Sequence, residues 1–309
     1  MFPSVDVTLR DLLADPRAEL RPPPKRMILE EFRGYAAAFM SQALAPEIAA
    51  VEEHTFAEAS GRRIRVRLYR PSLEPSSGTI LFSHGGGFVL GDLNSHDGMC
   101  RMLSRCARCA VVAIDYRRAP EHPFPAAVDD CVAAARWVSK NHETLSLPPR
   151  LALVGDSAGG HIAIGMILTL GREAASIRHL GLLYPMIDPG CTAESLDTYG
   201  RGGYLLTRAA IEWFWSLYLP PPSPRDARAW LLDADVSGFP STTLITAALD
   251  PLRDEAHAFA ERLRAVDVPL EVREEQGMVH GFVGLSHLTA RAEQALQYLG
   301  SRIQASLCS

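Results

Sequence analysis

Long apolar runs are missing from this 309-residue chain. The longest, Ile162 to Leu170, falls far short of the roughly 20 residues a helix needs to cross a bilayer, so no membrane span is expected. An excess of basic residues is missing too: the formal charge is -5, which leaves no electropositive footprint for nucleic acid. Cysteine is sparse, with six scattered residues, too few for a secreted disulfide framework. Cys106-Ala-Arg-Cys109 does form a C-x-x-C, but a zinc site would want a second close pair and a redox site a thioredoxin-like context. Both are absent, so these are expected to be buried or half-buried helix cysteines. The first residues, MFPSVDVTLRDLLADPRAEL, lack the unbroken apolar centre of a signal peptide because Asp6, Arg10 and Asp11 interrupt it. A cytoplasmic protein is the expectation.

What is present is the ordinary composition of a globular protein, 47% hydrophobic and 22% charged, which argues against disorder. The length suits one α/β domain with insertions, or two domains. Met1 to about Ala50 carries helix-forming stretches, notably Arg26 to Leu44 after the rigid Arg21-Pro-Pro-Pro24, and shows no strand pattern. Arg62 to Arg70 alternates with the period of a half-exposed strand, and Pro71 to Gly78 is a turn cluster. Thr79 to Ser83, Ala110 to Ile114, Leu151 to Val154, His179 to Met186, Thr242 to Leu249 and Val268 to Glu274 read as further strands. Helical segments are expected at Asp97 to Cys109, Ala126 to Lys140, His161 to Leu170, Arg253 to Ala265 and Ser286 to Ser301. This alternation predicts a parallel sheet covered on both faces. Pro189 to about Trp230 interrupts it with a helix that Thr207 can cap and that Leu206 and Ile211 can staple. That helix bears Trp213, Phe214, Trp215 and Tyr218, and one of its faces is expected to line a cavity; Pro220 to Pro224 ends the segment.

The chemistry centres on Leu151 to Gly160, LALVGDSAGG. A buried strand meets Gly155-Asp-Ser157-Ala-Gly159, a G-x-S-x-G, and a small-residue helix start follows. That context holds a serine hydroxyl exposed on a tight strand-to-helix turn. Earlier in the chain, His84-Gly85-Gly86-Gly87-Phe88 is wedged directly after a strand. Consecutive glycines there suit a loop whose bare amides converge on a developing oxyanion, with His84 bracing the loop. Asp115, Arg117 and Glu121, in the proline-stiffened stretch to Pro125, read as structural ion-pair candidates.

Asp250 stands at the end of one strand and His280 follows the last, so nucleophile, acid and base lie past strand carboxyl ends, where open parallel sheets place their sites. Asp254 and Asp188 are the competing acids. The order Ser157, Asp250, His280 is that of an α/β-hydrolase.

HGGGF, DYRRAPEHPFPAA, GDSAGG, DPLRDE and HGF, in this order, resemble the hormone-sensitive-lipase-like (bacterial family IV) carboxylesterases from about Arg62 to the carboxyl end. The sequence departs from them at Arg118, where the family commonly has an apolar residue. The resemblance implies an α/β-hydrolase fold with a mostly parallel eight-stranded sheet. Residues 1–50 and 190–230 would form a helical cap, and residues 51–189 and 231–309 the catalytic domain. It implies Ser157, Asp250 and His280 as catalytic residues and Gly86, Gly87 and Ala158 as oxyanion-hole donors. Phe88, Trp213 and Phe214 are candidate substrate-pocket residues. Expected, then, is a serine esterase acting on short to medium acyl-chain esters through an acyl-enzyme, needing no metal or cofactor, with a homodimer through the last sheet edge. The alternatives are an amidase or lactonase with the same three residues, or a ligand receptor on the same fold, against which retention of all three speaks.

Overall fold

The computed structural model describes residues 4–24, 27–58, 60–73, 76–223 and 225–308. Arg26, Pro224, residues 1–3 and residues 74–75 of the turn cluster, all named above, lie outside the described residues. Eight strands form one sheet: β1 (Ala50–Ala57), β2 (Arg63–Arg70), β3 (Thr79–Ser83), β4 (Ala110–Asp115), β5 (Leu151–Asp156), β6 (Ile177–Leu183), β7 (Ser241–Leu249) and β8 (Leu270–Val279). The helices among the described residues are α1 (Arg10–Ala14), α2 (Leu29–Met40), α3 (Asp97–Ala107), α4 (Ala126–Asn141), α5 (Ala158–Leu170), α6 (Glu194–Tyr199), α7 (Arg208–Tyr218), α8 (Arg253–Arg264) and α9 (Arg291–Cys308). None is long and apolar enough to cross a membrane.

The strand order is β1-β2-β4-β3-β5-β6-β7-β8, antiparallel at β1, β2 and β4 and parallel thereafter. Period-two alternation divides each central strand between two cores. Leu81, Leu153 and Leu182 join the side chains of α4, α5 and α8, while Phe82, Val154 and Leu183 join those of α3 and α9. Both faces are therefore buried, which is why the central strands read as near-continuous apolar runs.

The sequence missed β1. Its residues Ala50–Ala57 bury only Phe56, so apolar periodicity gives little sign of it. Charge supplies what burial does not: Glu53 lies opposite Arg67 in the ladder and meets its Nε at 2.5 Å, and Glu52 meets Arg70 at 2.6 Å. At the other end, β8 runs on to Val279 instead of stopping at Glu274, past a register shift against β7. The last helix starts at Arg291, not near Ser286, because Phe282–Leu285 forms a 3-10 turn first and the Thr289 hydroxyl accepts the Arg291 amide. Cys106 does sit in α3, but Cys109 follows it as a buried lead into β4. Burial pushes these two thiols up to about 11 and about 12, which leaves them protonated and inert near neutrality.

The amino-terminal segment and the segment between β6 and β7 meet. The Leu20 amide donates to the Leu205 carbonyl at 2.6 Å and the Thr207 hydroxyl to the Leu20 carbonyl at 2.8 Å. Thr207 also caps α7, accepting the Ala210 amide at 3.2 Å.

Candidate active site

Ser157 occupies the turn between β5 and α5 at φ 52°, a left-handed conformation that costs a residue with a Cβ about 1–2 kcal/mol. Its neighbours explain how the turn closes. A Cβ at Gly155 would collide with the Gly159 backbone, and a Cβ at Gly159 with the Ser83 carbonyl, so only glycine lets β5, α5 and β3 approach this closely. The backbone of Ser157 is pinned as well: its amide donates to Leu183 at 2.8 Å and its carbonyl accepts from Met186 at 3.0 Å.

Distant parts of the chain converge here. His280 Nε2 lies 2.9 Å from Ser157 Oγ, and His280 Nδ1 lies 2.8 Å from Asp250 Oδ2. The other Asp250 oxygen accepts the Leu252 amide at 2.8 Å, so the carboxylate is held on both sides. The Tyr184 ring meets the imidazole edge-on at 5.0 Å, a neighbour that sequence patterning did not reveal. The competing acids are engaged elsewhere: Asp254 accepts the Ser195 amide at 2.9 Å, and Asp188 accepts the Gly190 amide and the Thr192 hydroxyl, each at 2.8 Å.

Above the serine runs the loop after β3, which has φ 114° at Gly86 and 59° at Gly87. The amides of Gly86, Gly87 and Ala158 donate to no acceptor among the described residues. The Gly85 amide, by contrast, is taken by Asp156 Oδ1 at 2.8 Å. His84 is buried, stacked on Tyr116 at 4.2 Å, and pushed down to about 3 by burial and by the neighbouring His96; it is neutral and braces the loop through the Gly85 carbonyl at 2.8 Å. Burial would push the Asp156 carboxyl up, but His96 and the Gly85 amide outweigh it and hold the group below the usual carboxylate range. Arg118, the departure noted above, donates to the Gly91 carbonyl at 2.6 Å and ties down the end of the same loop. Nearby, Asp115 pairs with Arg65 at 2.6 Å, Arg117 with Asp130 at 2.9 Å and Glu121 with Arg33 at 2.7 Å.

A cavity of about 1190 Å³, counting its open mouth, leads from Ser157 and His280 between the loop and the amino-terminal segment. Its apolar wall includes Leu20, Phe32, Phe39, Met99, Leu206 and Phe214. Of the three candidate pocket residues, the structure brings Phe214 to the cavity but not Phe88 or Trp213. Phe88 points away, stacked on Tyr218 at 3.8 Å in a buried aromatic cluster, and Trp213 packs edge-on against Phe32 at 5.8 Å. Consecutive residues on α7 face different ways, and the sequence alone does not say which way the helix is turned.

This arrangement suits acyl transfer, and the comparisons agree. A sequence family described as the alpha/beta hydrolase fold matches residues 80–284. The carboxylic ester hydrolase LipN of Mycobacterium tuberculosis is 38% identical over 79% of this chain and 67% of its own length. The ethyl acetate hydrolase of Pseudomonas putida is 35% identical over 80% of each. Among solved structures, the hyperthermophilic esterase of Pyrobaculum calidifontis superimposes with a TM-score of 0.89 at 31% identity, covering 98% of both chains.

Proposed function

We propose, for a chain that belongs to the hormone-sensitive-lipase-like carboxylesterases of the α/β-hydrolase fold and is thereby a carboxylic ester hydrolase, that Ser157, Asp250 and His280 are its catalytic residues and short to medium acyl esters its substrates. The single observation that carries this reading is the unbroken contact from hydroxyl to imidazole to carboxylate, 2.9 Å and 2.8 Å. Ser157 Oγ attacks the ester carbonyl carbon as His280 Nε2 takes its proton, while Asp250 orients the ring and stabilises the imidazolium. The carbonyl electrons move onto oxygen, where the unengaged amides of Gly86, Gly87 and Ala158 receive them. Collapse expels the alcohol, which takes the proton from His280. Water then repeats the sequence on the acyl-enzyme and releases the acid, with no metal or cofactor.

The segments at residues 1–50 and 190–230 act in this reading as a cap over residues 51–189 and 231–309. Their meeting at Leu20 and Leu205 supports it. Apolar side chains from both segments in the cavity wall favour chains of bounded length. A cytoplasmic setting and a homodimer through the β8 edge belong to the same reading, tested by cell fractionation and light scattering. The central test is Ser157→Ala with p-nitrophenyl esters of rising chain length and a serine-directed phosphonate. Turnover and stoichiometric labelling should both vanish while the melting curve stays cooperative; retained turnover refutes the assignment. Matched anilide and lactone substrates separate ester preference from amidase or lactonase activity, and rates still climbing into long chains would contradict the bounded cavity.

A further inference from the structure

One buried imidazole beside the site takes no part in the reaction outlined above. His96 lies at the start of α3, in the cavity wall, next to Asp156. We propose that His96 is a positioning residue for this reaction: acting through Asp156, it holds the Gly85 peptide and so aims the two following amides at the developing oxyanion. The proposal rests on the roles assigned to Ser157, Gly86 and Gly87.

The Gly85 peptide is gripped at both ends by side chains. Asp156 Oδ1 accepts its N–H at 2.8 Å, and His84 Nδ1 meets its carbonyl at 2.8 Å. Asp156 immediately precedes the nucleophile, so its carboxylate links the serine turn to the glycine loop. That link needs a second partner, because a buried carboxylate satisfied by one amide is poorly compensated. His84, held neutral, brings no charge. The remaining Asp156 oxygen faces His96 Nε2 at 3.6 Å, beyond direct hydrogen-bond distance but near enough for the polar edge of the ring to attract the carboxylate.

The ring is held for this role from its other side. Ser95 Oγ lies 2.9 Å from His96 Nδ1 and accepts the Asp92 amide at 2.8 Å, while Asp92 Oδ1 accepts the Ser95 amide at 2.7 Å. Reading outward from the glycine loop, the order is Gly85, Asp156, His96, Ser95, and each member restrains the one before it. Without the ring, Asp156 keeps its charge at greater cost or takes up a proton, and either change loosens its hold on Gly85.

The test compares His96→Ala, His96→Gln and Ser95→Ala with the parent enzyme on a p-nitrophenyl ester and a trifluoromethyl ketone, which forms a tetrahedral adduct. A displaced oxyanion donor is expected to lower kcat for His96→Ala by about 10- to 100-fold. KM should hold within about threefold, and the ketone should bind more weakly by the same factor as kcat, since both depend on the oxyanion site. His96→Gln, whose amide N–H can face Asp156, should recover most of the loss, and Ser95→Ala should show a smaller loss of the same kind. A general packing defect would lower the melting temperature without making kcat and ketone affinity fall together. That result, or unchanged kcat in His96→Ala, overturns the proposal. Should His96→Ala fail to fold, Ser95→Ala decides alone by whether its kcat and ketone affinity fall in step. Failure of the underlying reading would look different, because Ser157→Ala would then keep its turnover.

Discussion

Replacing Gly87 with alanine perturbs the site through one methyl group, and the structure lets both consequences be sized. At φ 59° an alanine pays about 1–2 kcal/mol for the left-handed backbone. Its Cβ would also collide with the base of the Phe214 ring, atoms that cannot swing aside without rotating the whole side chain. Overpacking of that kind costs about 1–3 kcal/mol. Together the two terms predict a loss of about 2–5 kcal/mol, or a fall of about 4–10 °C in Tm for a chain of this size. The same strain moves an amide proposed to stabilise the oxyanion, a loss of about 3 kcal/mol and hence roughly a hundredfold in kcat. Thermal melting and initial rates on a p-nitrophenyl ester measure the two effects separately. Adding Phe214→Leu to Gly87→Ala should return the part of the stability loss caused by the clash while leaving the backbone part. A Gly87→Ala enzyme with kcat within about threefold of the parent would refute the reasoning, since the amide would then be unnecessary or unmoved.

Asp250→Asn should keep the fold and KM but lower kcat by about 10³- to 10⁴-fold, because a side-chain amide no longer selects the imidazole tautomer that accepts the Ser157 proton; steady-state kinetics checks it. Glu255 is buried, with one oxygen accepting the Ile187 amide at 2.6 Å, and burial pushes its pKa well above the ordinary value. A carboxyl raised on folding contributes fully below its unfolded value of 4.5, and that contribution is lost as pH climbs toward the folded value. Glu255→Gln should therefore flatten the decline, gaining on the parent as pH rises, and urea midpoints between about pH 4 and 8 would reveal a contrary slope. Leu206→Trp should fill the cavity wall and shift the preferred acyl chain shorter in a chain-length series, with acetate-ester turnover retained.

The parts of the molecule legible in the sequence are those where one physical demand dominates. Burial on both faces makes β3 to β7 predominantly apolar, and steric crowding at Gly155 and Gly159 leaves no choice of residue around Ser157. Asp250 and His280 could be singled out because each comes just past the carboxyl end of a strand of the parallel sheet. Where demands are shared, the reading failed. Half-exposed β1 is held by Glu–Arg pairs instead of apolar contrast, the facing of Trp213 depends on how α7 is turned against the core, and Phe88, in the loop after β3, is turned onto Tyr218. His96 was invisible for another reason: its neighbour Asp156 belongs to a recognisable motif, but nothing local announces that a residue 60 positions away completes the pair.

The loop proposed to hold the oxyanion leaves the end of β3 and the turn bearing Ser157 the end of β5, strands paired from Thr79 and Leu151 to Ser83 and Gly155. The contacts that complete the site reach further still, with His280 meeting Ser157 across 123 positions, so the proposed reaction centre assembles only with long-range closure of the chain. Helical signal in a renaturing sample should accordingly return before hydrolysis does, because hydrolysis waits for Asp250 and His280 to reach Ser157.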